Sequence, residues 1–122
     1  MNIQDVLERF ALMANLSLEE AAPWIAVCSD SANEIMRSLK SNVNKFDVQP
    51  RILAAAAALA FYRYSLYRVS GSGMENFSVG EISVNTDKNA VIKFAQKIWE
   101  DSRKSIADIL KDENFAFCRV IS

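Results

Sequence analysis

The spacing of apolar residues predicts a chain built mainly from helices. Near the N-terminus, apolar positions recur three and four residues apart, which is the repeat of one helix face and predicts a helix over residues 3–14. The residues on this face are Ile3, Val6, Leu7, Phe10 and Met13. Asn15 and Leu16 end the pattern, so we expect the first helix to stop there.

A second helix is predicted over residues 18–41. It begins at a capping box, in which the Ser17 hydroxyl accepts a hydrogen bond from the backbone N–H of Glu20 and the Glu20 carboxylate accepts one from that of Ser17. Pro23 has no N–H to donate and its ring crowds the preceding turn, so we expect a kink or a fresh start near Pro23 and Trp24. The apolar stripe beyond this point consists of Ile25, Cys28, Ala32, Ile35, Met36 and Leu39.

The segment from residue 50 to residue 69 is predicted to be the central helix of the fold. Asp47 or Gln49 is expected to cap it, and Pro50 falls in the first turn, where its missing N–H costs nothing. No polar residue interrupts the stretch from Ile52 to Tyr62, which is rich in alanine. A helix that is apolar on most sides must be buried on most sides, and alanine lets neighbouring backbones approach closely.

Aromatic residues crowd the end of this helix. They are Phe61, Tyr62, Tyr64 and Tyr67. Together they exceed what one small core needs, so we expect part of the set to face another subunit, although a buried tyrosine with a bonded hydroxyl is the favoured interpretation for each one taken alone. Arg51, Arg63 and Arg68 bracket and interrupt the apolar run, and a bilayer span needs about 20 apolar residues, so no membrane span is expected.

The last helix is predicted over residues 88–110, with Asn85, Thr86 and Asp87 as candidate caps. One narrow stripe of it carries Lys97, Asp101, Lys104, Asp108 and Lys111. Opposite charges are adjacent along this stripe, which is typical of a solvated face with weak ion pairs. The opposite side carries Ile92, Ala95, Trp99, Ile106, Ile109 and Leu110, which should pack on the central helix.

One short stretch, residues 77–84, alternates apolar and polar residues and predicts a β-hairpin. Gly80 takes the first central position of its two-residue turn, where the favoured turn type needs a positive φ. The predicted register pairs Val79 with Ile82, Ser78 with Ser83 and Phe77 with Val84. An isolated hairpin is marginal in water, so it must lean on a helix of its own chain or offer its open edges to a strand of a neighbouring molecule.

Residues 114–122 are predicted to form an extended arm. Its apolar side chains are Phe115, Phe117, Val120 and Ile121. These are too apolar for a free solvated tail, and Arg119 among them favours a strand that lies on a surface. The candidate subunit interface therefore combines the hairpin with the arm and consists of Phe77, Val79, Gly80, Ile82, Val84, Phe115, Phe117 and Arg119.

The composition and net charge of the chain argue against several classes of function. The chain has 122 residues, the size of one domain, and we treat residues 1–122 as such. Its net charge of -1 supplies no field that would draw it onto nucleic acid or an anionic membrane. It has no histidine, the commonest general base and metal ligand, and its adjacent carboxylates lie in capping or solvated contexts. We therefore expect no enzymatic activity, no catalytic residue, no cofactor and no bound metal.

The two cysteines, Cys28 and Cys118, are far apart and form no C-x-x-C pair. That favours reduced thiols in a cytoplasmic protein over a disulfide framework. The N-terminal stretch carries Asp5, Glu8 and Arg9 within its apolar pattern, so it is not expected to be a signal peptide or an anchor.

Three features together resemble the small helical head-tail connector proteins of tailed phages and prophages, also called adaptor or head completion proteins. They are the run I-L-A-A-A-A-A-L-A-F-Y-R-Y from Ile52 to Tyr64, the stretch N-F-S-V-G-E-I-S-V followed by an amphipathic helix, and the terminal F-A-F-C-R-V. The resemblance covers most of the chain from Ala21 onward and lies in packing patterns. It implies a bundle of four to five helices and a structural role.

In that role the chain would form a homo-oligomeric ring beneath the portal and continue the DNA channel toward the tail. The implied partners are portal and tail-completion proteins, with DNA passing non-specifically, and the implied location is the host cytoplasm or the virion. The alternative from the residues alone is a monomeric or dimeric helical protein-interaction module of a bacterial cytoplasm, without catalysis.

Overall fold

The structure is a computed structural model, and it describes residues 2–70, 77–79, 82–84 and 88–111. The described chain is mainly helical and forms a small bundle, as predicted. Its helices are α1 (Ile3–Ala14), α2 (Leu18–Ala21), α3 (Ile25–Arg37), α4 (Gln49–Ser70) and α5 (Lys88–Ser105). Two short 3-10 turns (Ala22–Trp24 and Ala107–Ile109) and the strands β1 (Phe77–Val79) and β2 (Ile82–Val84) complete the described elements.

Helix α4 lies at the centre of the bundle. Eight consecutive residues, Ala55–Tyr62, have no solvent-exposed surface. At about 3.6 residues per turn these residues span more than two turns, so every face of this part of the helix is covered. The helices that cover it are α1, α3 and α5. The predicted central helix is therefore confirmed, with its bounds extended by one residue at each end.

The sequence signals at the end of α1 and the start of α2 are also confirmed. Asn15 adopts the left-handed conformation with φ of 58° and closes α1, which an asparagine tolerates better than most residues. The capping box of Ser17 and Glu20 is formed with both hydrogen bonds, of 2.9 and 3.1 Å. The bond from the Ser17 N–H is the main cause that lowers the pKa of the exposed Glu20 carboxyl, and the Ser17 side chain lowers it further.

The fresh start predicted near Pro23 appears as the 3-10 turn Ala22–Trp24, so the predicted single helix over 18–41 is in fact two. The turn changes the directions in which the side chains around it point. Trp24, and not Ile25, packs on Tyr64, with 4.7 Å between the ring centroids. Ile25 is 42% exposed, and its predicted place on the buried stripe is wrong.

Helix α3 ends at Arg37, four residues before its predicted end, because the chain pairs in extended form beyond it. The Lys40 N–H donates to the Ile109 carbonyl (2.9 Å), and the Lys111 N–H donates to the Ser38 carbonyl (2.8 Å). Leu39 and Leu110 form an antiparallel bridge between these bonds. A residue cannot continue a helix and join such a bridge at once.

Helix α5 likewise ends at Ser105 instead of residue 110. The Ser105 carbonyl, which would accept from the Ile109 N–H in a continued helix, accepts instead from the Arg51 guanidinium of α4. The Ile109 N–H turns to the Ile106 carbonyl, 3.0 Å away, in a 3-10 turn. The contact of α4 with the Ser105 carbonyl therefore determines where α5 ends.

Of two further predictions about polar residues, the cap of α4 is wrong and an ion pair on the charged stripe is present. Gln49 is the first residue of α4, and the residue before it is Val48, whose carbonyl accepts from the Ile52 N–H (3.0 Å), so neither Asp47 nor Gln49 holds the predicted cap position. On the charged stripe of α5, Lys97 and Asp101 pair at 3.6 Å.

The hairpin has the predicted register, with Phe77 opposite Val84, Ser78 opposite Ser83 and Val79 opposite Ile82. The predicted turn at Gly80, the candidate caps at residues 85–87 and the arm at 114–122 lie outside the described residues.

The buried side of α5 yields a stability prediction. Trp99 is 2% exposed, so Trp99→Ala should lower the free energy of unfolding by about 3 to 5 kcal/mol through lost burial and a residual cavity. Lys104, exposed on the same helix, is the matched control, and Lys104→Ala should change it by less than about 0.5 kcal/mol. Urea unfolding followed by circular dichroism measures both, and equal losses would contradict this orientation of α5.

Candidate assembly surfaces

The hairpin, the first candidate surface, lies against helices of its own chain. Strand β1 runs beside α1, and β2 runs beside α5. The sheet has two strands, and within the described ranges no third strand joins it. The hairpin therefore leans on its own bundle, and the outer edge of each strand has no strand partner among the described residues.

The register decides which backbone groups face those edges. In an antiparallel pair, opposed residues alternate between exchanging both main-chain hydrogen bonds and exchanging none. Val79 and Ile82 flank a two-residue connection, which makes them the bonded pair. Ser78 and Ser83 are then the non-bonded pair, so their N–H and C=O groups point outward along the open edges.

The candidate interface residues divide into two groups. Phe77, Val79, Ile82 and Val84 lie on the paired strands and are brought together as predicted. Gly80, Phe115, Phe117 and Arg119 lie outside the described residues.

The aromatic end of α4 belongs mostly to the protein's own core. Phe61, Tyr62 and Tyr64 are buried, and the Tyr64 ring makes edge-to-face contacts with Phe10 (5.3 Å between centroids) and with Trp24. Tyr67 alone of the four aromatic residues remains open to solvent, at 60% exposure. The part of the set that is exposed enough to face another subunit therefore reduces to Tyr67, whose ring also contacts Trp24 (6.2 Å between centroids).

Tyr62 has an unusual hydroxyl. It is buried, and it has no hydrogen-bond partner in the part of the chain that the structure describes. Burial raises its pKa, and the negative charge of Glu100 raises it further, so the phenol stays protonated at neutral pH.

Two arginines of α4 hold neighbouring elements of the same chain. Arg63 donates to Glu34 of α3 (2.7 Å) and to the Ser31 hydroxyl (3.3 Å), in a partly buried network. Arg51 binds both carboxylate oxygens of Asp108 (2.5 and 3.5 Å) in addition to the Ser105 carbonyl. These side chains are engaged within the bundle and are not arranged as a basic surface for nucleic acid.

The bond to Arg51 corrects the prediction for Asp108. The charged stripe predicted that Asp108 would take part in ion pairs along α5, but the end of the helix turns it toward α4. The hydrogen bond from Arg51 is the main cause that holds the pKa of Asp108 below its ordinary value, and the positive charges of Arg51 and Lys40 lower it further.

Two further ionisable groups, Glu100 and Cys28, have structural roles. Glu100 accepts from the Gln96 amide (3.1 Å), one turn earlier on α5. Burial raises the pKa of the Cys28 thiol to about 12, which makes it an unreactive core residue. Among the described residues, no three or more His, Cys, Asp or Glu side chains lie close enough to hold a metal ion.

Sequence patterns missed an apolar groove where the end of α3 faces the start of α4. It has a volume of about 230 Å³ and is lined by Met36, Lys45, Phe46, Gln49 and Ile52. We call it the α3–α4 groove. Phe46 is 86% exposed on its rim, and the neighbouring surface continues past Pro50 and Leu53 to Leu12 of α1, which is 81% exposed. The signal in the sequence was Phe46, the one aromatic residue in the connection between α3 and α4.

No described helix combines the length and apolar character needed to cross a bilayer. Comparison of the chain with protein-family models, with curated proteins and with solved structures found no match.

The Arg51 contact yields a prediction about pH. Arg51→Gln should raise the pKa of Asp108 toward its ordinary value of 3.8, whereas Lys104→Gln, which removes its predicted partner along the stripe, should leave it unchanged. Because the folded pKa is the lower one, the contact stabilises the fold above pH 3.8, and this stabilisation is lost as the pH falls through the folded pKa. Carboxyl-carbon NMR titration measures both variants. A shift in the Lys104 variant instead of the Arg51 variant would contradict the assignment.

Proposed function

We propose that this protein is a structural assembly protein of the phage head-tail connector type, which forms a ring beneath a portal and continues the DNA channel toward the tail. The observation that carries the proposal is the hairpin, a short two-stranded sheet on a helical bundle whose outer edges have no strand partner among the described residues. The resemblance of the central helix, the hairpin and the arm to connector proteins supports the same role.

Open strand edges give a physical route to association. An unpaired edge presents N–H and C=O groups that an extended segment of another chain can satisfy. The arm at residues 114–122 has the composition of such a segment. Contact between one chain's arm and the next chain's hairpin is heterologous, and a heterologous contact makes a ring when its rotation closes.

The charge distribution supports passive passage of DNA over DNA binding. The net charge is -1, and Arg51 and Arg63 are bonded to carboxylates of their own chain. Sequence-specific or tight binding needs clustered cations that reach phosphates. A channel wall that DNA must slide past needs none.

The second candidate is a helical protein-interaction module that acts without a ring. The α3–α4 groove and its continuation favour it, because Phe46 and Leu12 present large apolar side chains to solvent. Gene context separates the two candidates. Genes for a portal and a major capsid protein beside this gene would support the connector, and neighbouring metabolic genes would favour the module.

The connector proposal predicts the effect of blocking one strand edge. Ser78→Pro removes an N–H that points outward, so it should leave the hairpin's own hydrogen bonds and the helical circular dichroism intact. It should abolish oligomers that the unaltered protein forms at high concentration. Light scattering over a concentration series measures this, and Ser78→Thr, which keeps the N–H, should associate as the unaltered protein does.

Three results would contradict the proposal. The first is equal association of the proline variant and the unaltered protein, which would show that the β1 edge is not used. The second is an unaltered protein that stays monomeric at every accessible concentration. Loss of helical signal in the proline variant would place the hairpin within the core, and the inter-subunit role of its edge would then be wrong.

A further inference from the structure

The last described residue before the C-terminal segment, residues 112–122, is Lys111, and it lies close to the α3–α4 groove. Residues 109–111 run antiparallel to residues 38–40, with main-chain bonds of 2.9 and 2.8 Å. The Lys111 N–H donates to the Ser38 carbonyl, two residues after Met36, which forms one wall of the groove. The C-terminal segment is therefore tethered at a point near the groove.

A second contact, made by α4, holds the chain just before the C-terminal segment. Arg51, in the first turn of α4, binds Asp108 and the Ser105 carbonyl just before the segment begins. Gln49 and Ile52, which flank Arg51 in sequence, line the groove. The end of α3 and the start of α4 therefore hold the chain just before residue 112, and the same two regions form the groove.

We propose that, in the free chain, the α3–α4 groove binds the C-terminal segment of the same molecule. Eleven residues reach about 36 Å when extended, at about 3.3 Å per residue. This length is ample for a surface that begins near Lys111. A tethered segment also has an effective concentration on the order of millimolar, far above that of another molecule in dilute solution.

The chemistry of the two surfaces matches. The groove and its rim are apolar through Met36, Phe46 and Ile52, and the segment carries Phe115, Phe117, Val120 and Ile121. The segment opens with Asp112 and Glu113, and the connection that borders the groove carries Lys40 and Lys45.

The size of the groove favours side chains over a small-molecule ligand. Pockets for drug-sized molecules have volumes of about 300 to 1,000 Å³. The groove, at about 230 Å³, is smaller than that range and fits one or two side chains of an extended segment.

This inference concerns the free chain and does not rest on the ring proposal. If both are correct, the segment must leave its own groove before it reaches a neighbour's hairpin, so association competes with an intramolecular contact. That competition would keep the chain monomeric at low concentration.

Photo-cross-linking from the groove tests the inference in the full chain. Phe46, which is 86% exposed, is replaced with p-benzoylphenylalanine, an aromatic residue that the fold should tolerate. Light and heavy isotope-labelled chains are mixed before irradiation, and mass spectrometry identifies the joined peptides. We expect cross-links to residues 112–122 within chains of one label, with a yield unchanged by roughly hundredfold dilution, because the segment is tethered.

Matched variants provide the controls. The same replacement at Tyr67, an exposed aromatic residue at the far end of α4, should give no such cross-link. Phe115→Ser and Phe117→Ser should lower the yield from position 46, whereas Asn114→Ser should not.

Three outcomes would overturn the inference. They are cross-links that join light to heavy chains and fade on dilution, equal yields from positions 46 and 67, and no cross-link to the segment at all. The first of these would still support an arm that binds a neighbour, so it separates the failure of this inference from failure of the ring proposal.

Discussion

The close packing of three helices on the alanine run of α4 is the constraint on which the other contacts of the bundle depend. Residues Ala55–Ala58 and Ala60 are fully buried, with α1, α3 and α5 around them. Small side chains let helix backbones approach closely, and an enlarged side chain in a packed core costs about 1 to 3 kcal/mol. The alanines therefore set how near the outer helices lie, and larger buried residues such as Phe61 and Trp99 complete the core.

Polar contacts fix the outer elements once the helices are close. The Arg63 network joins α4 to α3, and Arg51 joins α4 to the end of α5. The exposed pair of Arg51 and Asp108 contributes through geometry more than through energy, since exposed ion pairs add little to stability. Arg51 also ends α5 by binding the Ser105 carbonyl, and so fixes the start of residues 106–111. Both candidate surfaces, the hairpin edges and the α3–α4 groove, are positioned by this framework.

Local signals in the sequence predicted the features that depend on neighbouring residues. The capping box at Ser17, the end of α1 at Asn15 and the hairpin register each follow from residues a few positions apart. Features set by distant residues could not be predicted in this way. The early ends of α3 and α5 depend on pairing between residues 38–40 and 109–111 and on Arg51, which is 54 positions from Ser105. The groove was missed for the same reason, because its walls come from separate elements.

Association into a closed ring through heterologous contacts is the proposal that links the hairpin to a function. Native mass spectrometry of the full-length protein over a wide concentration range tests it. We expect monomer at low concentration and one larger species of fixed subunit number at high concentration, because a closed ring has no free ends. Monomer throughout, a dimer as the final state, or an open series of growing oligomers would contradict it.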